Sequence, residues 1–344
     1  MSAARSVGET LLVVVSPTAL ALDGESVRVA RDVLGAACTV KLAFPGSLAE
    51  LERTLSRRGA RRLVVIGDDR ALHQVVQLLH QHSELDAGPI GMIPVGKGEK
   101  VALARSLGAA GRPVDAARAV LHGCERSLGL LVDESGGVVL GGLRIPGRDA
   151  LAAGFGAAPE PGPQGAPTEL PEEGANALPR RVAPTDGRSL RANKVAAVRG
   201  LQLPSACLEW GDRLGRAARG VAAQFRSGRP DPGQALRVEA DGRLLADLDQ
   251  PVRMVAAWNA GTRGGAAGAG AGAGADGGLM EVLVSGRTAS GGPVRARAQR
   301  ITVTTGGPAA TFTYEADAAM AGPVQQRTWT VQPAVWRLTV PPAA

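Results

Sequence analysis

A chain of 344 residues with 44% hydrophobic side chains is long enough for two domains and a sizeable core, and none of its apolar runs is long enough to span a bilayer. The formal charge of +7 invites comparison with nucleic-acid binders, yet the only lysines are Lys41, Lys97, Lys100 and Lys194 and aromatics are 3% of the chain, which argues against a basic stacking platform and leaves only a weak attraction to anionic lipid surfaces open. Cys38, Cys124 and Cys207 are odd in number, far apart and without CxxC spacing, which points to a reducing compartment and away from a metal cage.

At the N-terminus Arg5, the run Leu11–Val15 and Ala19-Leu20-Ala21 imitate a secretory signal. Glu9 breaks the flank and five apolar residues are too few, so a buried first strand is expected. Ser26–Leu34 reads as a helix, Thr39–Phe44 as extended, and Leu48–Arg57 as a helix with Leu48, Leu51 and Leu55 on one face. Leu63–Ile66 is a continuous apolar strand, after which Leu72, Val75, Val76 and Leu79 follow the spacing of a helix laid on a sheet. Ile90–Val95 is a fourth strand, and Val101–Leu107 and Ala116–Leu121 are two more helices. This alternation predicts an α/β unit over residues 1–125, doubly wound and mostly parallel, with helices on both faces of the sheet.

After Ser127 the pattern changes. Leu128–Val132, a turn at Asp133–Gly137 and Val138–Ile145 read as a hairpin. Leu236–Glu239, Val252–Trp258, Met280–Ser285, Gln299–Thr304, Ala310–Tyr314 and Trp336–Val340 read as short strands. Residues 126–344 are therefore expected to form a β-rich sandwich domain, with a Pro/Gly/Ala-rich insert at about 152–190 and a Gly/Ala loop over Gly261–Gly278. His73, His80, His82 and His122 have no partners at metal-ligand spacing and read as surface side chains.

The chemistry gathers in two turns, Gly67-Asp68-Asp69-Arg70-Ala71 and Pro94-Val95-Gly96-Lys97-Gly98-Glu99. Each follows an apolar strand and opens into a helical pattern, an arrangement that aims backbone N–H groups at a bound phosphate. Gly91–Gly98 also meets most of the GxxxxGK[ST] pattern. Its last position is glycine and its middle residues form the strand itself, so it is not a P-loop.

In order and spacing these motifs resemble the diacylglycerol kinase catalytic family, lipid kinases that share a fold with NAD kinase. The family's GGDGT turn corresponds to Gly67–Ala71, its PxGTxN turn to Pro94–Glu99, its ARxLG segment to Leu103–Gly108, and its NPxSG turn to Ser16–Leu20. Leu214-Gly215-Arg216, Trp258-Asn259, Asp276-Gly277-Gly278-Leu279 and Val331–Pro341 match features of its β domain. A nucleotide-binding relative of NAD kinase is a weaker alternative, because the Pro333–Pro341 pattern looks like the lipid branch.

The resemblance implies ATP and Mg²⁺ as cofactors, a diacylglycerol-like lipid as substrate, no nucleic acid, and a cytoplasmic protein peripheral to the inner membrane face, with a homodimer left open. It places Ser16, Gly67, Asp68, Arg70, Gly96, Lys97, Gly98 and Glu99 around the nucleotide. Asp69 and Asp317 would be catalytic, and Asp69 and Asp276 would serve the metal. It also implies losses. The family's DGE motif falls on Asp317-Ala318-Ala319, so alanine replaces the expected general base. Glu99 sets a carboxylate beside the triphosphate, Asp68 and Arg70 replace glycines at positions where positive φ becomes costly, and Gly129 stands for an aspartate. Asp69 reads equally well as a helix N-cap. Two outcomes stand side by side: an ATP-dependent lipid kinase of low activity, or a pseudokinase that binds lipid or acts as a scaffold.

Overall fold

The computed structural model describes residues 10–146, 233–260, 278–286, 292–317 and 319–342. The first unit runs β1 (Thr10–Val15), α1 (Pro17–Leu22), α2 (Gly24–Gly35), β2 (Thr39–Ala43), α3 (Leu48–Ser56), β3 (Arg62–Gly67), α4 (Asp69–Gln81), β4 (Ile90–Pro94), α5 (Ala102–Ser106) and α6 (Pro113–His122), with a 3-10 turn at Gly98–Val101. β1 pairs in parallel with β2 and β3, and β3 with β4, where Val64 lies beside Gly91 and Gly67 beside Pro94. β1, β3 and β4 bury both faces, as continuous apolar runs should, while the edge strand β2 stays partly exposed. Leu12, Val14, Leu63, Val65 and Met92 pack under α3, α4 and α5, while Leu11, Val13, Val64, Ile66 and Ile93 pack under α2 and α6.

The β-rich part comprises β5 (Cys124–Asp133), β6 (Val138–Val139), β7 (Leu143–Ile145), β8 (Leu236–Ala240), β9 (Arg243–Ala246), β10 (Val252–Asn259), β11 (Met280–Gly286), β12 (Val294–Ala298), β13 (Arg300–Thr305), β14 (Phe312–Ala316), β15 (Ala319–Val324) and β16 (Gln326–Val340). β16 is the hinge of the topology. Its last residues pair in parallel with β4, its length runs antiparallel to β5, and its first half pairs with β13, giving the order β2-β1-β3-β4-β16-β13-β8-β9. The second sheet, β12-β11-β10-β7-β14-β15, packs on the antiparallel half of the first. Val238, Ile301 and Trp329 face Val255, Val282, Phe312 and Tyr314, with the Tyr314 and Trp329 rings edge to face at 5.1 Å.

The expected single run Val138–Ile145 is divided between the two sheets. β6 pairs with β5 and β7 with β10, and the chain crosses over at Leu140–Gly142. The crossover exposes three amides at once, and Asp317 answers them, as described below. Among the described residues no helix is long and apolar enough to cross a membrane. Asp276, Leu214-Gly215-Arg216, the insert at about 152–190 and most of Gly261–Gly278 lie outside the described residues.

Candidate functional site

In the parallel unit the order β2-β1-β3-β4 reverses between β1 and β3, and open α/β sheets bind ligands in the crevice beyond the carboxyl ends of their strands at such a point. The segments singled out by sequence converge here. Ser16 ends β1 with its amide donating to the Ile66 carbonyl at 2.9 Å, and the Val95 amide donates to the Gly67 carbonyl at 2.8 Å. Gly67 is walled in. A Cβ on it would lie 2.8 Å from the Ala71 Cβ and 2.9 Å from the Ser16 Cβ, so this glycine serves close packing of β1 on α4 and its face is not open to a ligand. Gly96, Lys97, Gly98 and Glu99 form the neighbouring wall, the last three exposed. Lys97 also lends its charge to Asp23, the cap of α2, whose carboxyl is held below its ordinary pKa mainly by the Ser26 hydroxyl and amide.

The carboxylates of this edge are engaged with backbone. Asp68 is extended (φ −93°) and caps α4, accepting from the Ala71 amide at 3.1 Å; neither it nor Arg70 adopts positive φ, so the expected conformational cost is absent. Asp69 does not cap its own helix. Its two oxygens accept from the amides of Leu103 (2.7 Å) and Ala104 (2.8 Å), the second and third residues of α5, whose own cap position is Val101 and has no acceptor to offer. The aspartate expected to organise Mg²⁺ thus ties α4 to the turn that follows β4.

Asp317 is likewise structural in its contacts. It sits at φ 49° in the β14–β15 turn with its side chain 2% exposed, and it accepts from Leu140 (2.6 Å), Gly141 (2.7 Å) and Gly142 (3.2 Å). Burial pushes its carboxyl above the ordinary aspartate pKa, against the opposing pull of His73 and the three amides. His73 is not a free surface residue. Its Nε2 lies 2.9 Å from the Val138 carbonyl and 3.9 Å from the Asp317 carboxylate. With Gln77, which binds the Val138 amide and the Gly136 carbonyl, it extends a polar stripe along α4 that begins at Asp69 and locks the α/β unit onto the β5–β6 hairpin. Ala319, where the resemblance implies a lost base, is exposed on β15 opposite Ala316. Gly129 packs so closely on Asn259 and the Gln332 carbonyl that an aspartate could not stand there without moving β10.

These contacts do not suit a magnesium site built on Asp69. Among the described residues no group of three or more His, Cys, Asp or Glu side chains is placed to hold a metal.

The architecture is that of a doubly wound α/β unit completed by a β sandwich. Residues 11–132 match the model of the diacylglycerol kinase catalytic domain. The fold resembles a crystal structure described as a "putative diacylglycerol kinase" from Bacillus anthracis str. Sterne, with a TM-score of 0.59 over 99% of this chain and 100% of that one at 12% identity. A second structure, titled as a diacylglycerol kinase from the same organism, matches at a TM-score of 0.52 over 96% and 97% at 11% identity. At such identities the likeness is one of fold. No curated protein matches the sequence.

Proposed function

We propose that this chain is a pseudokinase of the diacylglycerol kinase type, which keeps the fold and a lipid or scaffold role while transferring phosphate at or near background. One observation carries this reading: Asp68, Asp69 and Asp317 all spend their carboxylates on backbone amides, and the position of the missing base is Ala319. A positioned general base contributes about 10²–10⁴-fold, so its loss alone leaves a slow enzyme. The turn Gly96–Glu99 retains exposed backbone and Lys97, enough to attract a nucleotide phosphate, while the Glu99 carboxylate opposes it.

A second reading, an ATP- and Mg²⁺-dependent kinase acting on the free hydroxyl of a diacylglycerol-like lipid at the inner membrane face, is favoured by the complete set of parallel strands at the crevice. Thermal-shift titration separates the two. Ligand binding to the folded state raises the midpoint by mass action. With Asp68 and Asp69 engaged by backbone amides, ATP should give the same small rise with or without Mg²⁺, whereas a clear Mg²⁺-dependent rise favours the kinase.

A further inference from the structure

We infer that the protein has a second ligand site, a pocket for a small phosphate-bearing anion, at the amino ends of β3 and β4. This is the opposite edge of the sheet from the crevice, roughly 20 Å away along the six residues of β3. A cavity of about 250 Å³ opens there between the α3–β3 turn and the approach to β4. Its lining includes three arginines, Arg58, Arg61 and Arg62, and one acidic residue, Glu125.

Arg58, Arg62 and Glu125 are each engaged by neighbouring side chains. Arg58 is 2.9 Å from Glu84, Glu125 is 2.9 Å from Arg337, and Arg62 donates to the Thr339 hydroxyl at 2.7 Å. Arg61 has no carboxylate partner among the described residues. It donates through Nη1 alone, to the carbonyls of Arg57 (3.2 Å) and Arg58 (2.9 Å) where α3 ends. Those carbonyls sit at the negative end of the helix and fix the guanidinium without neutralising it. Among the described residues its Nε and Nη2 donors make no hydrogen bond, and they form the edge of the fork that binds oxyanions in two-point fashion.

A half-buried guanidinium, held in place yet lacking a counter-charge, beside a second and third arginine, is suited to a doubly charged phosphomonoester. The cavity is below the usual volume for larger ligands, so the occupant is of head-group size. A soluble phosphomonoester and the head group of an anionic lipid share this chemistry.

Calorimetry with glycerol phosphate, and co-sedimentation with phosphatidic acid vesicles against phosphatidylcholine vesicles, distinguish the two sources. Binding in either arm is expected to weaken about tenfold or more in Arg61→Ala, to weaken similarly in Ala60→Glu, which places a carboxylate on the exposed rim, and to persist in Lys97→Ala at the crevice. Ala60→Glu keeps the test valid if Arg61→Ala fails to fold. Absence of binding in both arms overturns the proposal. So does binding that Lys97→Ala abolishes, or binding that both wall variants leave unchanged. Because the readout is binding at the far edge, its failure leaves the pseudokinase reading untouched.

Discussion

Replacing Asp69 by alanine tests whether this residue acts as a brace or as a metal ligand. The substitution removes an acceptor from two amides, those of Leu103 and Ala104, at 2.7 and 2.8 Å, and both residues are buried. Hydrogen bonds to a charged group contribute about 1.5–3 kcal/mol each, and non-additivity between two bonds on one carboxylate trims the sum. Loss of the carboxylate beside the start of a helix removes roughly a further 0.5 kcal/mol. The expected destabilisation is therefore about 3–5 kcal/mol, with Asp69→Asn near half of that because one acceptor remains. Urea unfolding followed by circular dichroism measures it. A residue held for metal binding behaves in the opposite way, since removing it relieves repulsion and leaves stability equal or higher. An unchanged or raised midpoint in Asp69→Ala would refute the brace.

Other expectations follow from the same geometry. Gly67→Ala should cost about 1–3 kcal/mol by chemical denaturation, because the new methyl meets both Ser16 and Ala71 inside 3 Å. The triple change Glu99→Asn, Asp68→Gly and Arg70→Gly should tighten Mg-ATP binding in calorimetry, at a stability cost of a few tenths of a kcal/mol for the lost Asp68 cap; equal affinity would mean these side chains do not face the nucleotide. Asp317 has its folded pKa raised by burial, so its stabilising contribution is complete below its unfolded value near 3.8 and is lost as pH rises through the folded value. In a His73→Gln background, which removes the facing imidazole, Asp317→Asn should therefore gain on its parent in urea-unfolding free energy as pH rises above the unfolded value near 3.8.

Much of the α/β unit is legible because each strand is an apolar run closed by a turn and a helical spacing. Leu63–Ile66 and Ile90–Val95 are neighbouring parallel strands as expected. The helix α1 was not legible: Ser16-Pro17 reads as a turn, only Ala19 is buried, and Leu20 and Leu22 face outward, so no apolar period announces it. Nor was the division of Val138–Ile145 between two sheets, since the acceptor that permits the crossover, Asp317, is 175 to 177 residues distant. The same holds for Asp69, whose partners lie 34 and 35 residues away and whose local context suggests either a cap or a ligand. One signal could have been read. Asp69, His73 and Gln77 recur every fourth residue on α4, a polar stripe at helical spacing that a buried interface must satisfy, and it marked His73 as a contact between the two halves of the chain.

The central claim, that this fold is retained without its chemistry, is tested most directly by transfer of radiolabelled phosphate from ATP to diacylglycerol in mixed micelles. The unmodified protein should incorporate label at or near background. Ala319→Glu alone should change little, and Ala319→Glu combined with the three turn substitutions should raise the rate. Robust transfer by the unmodified protein would contradict the account.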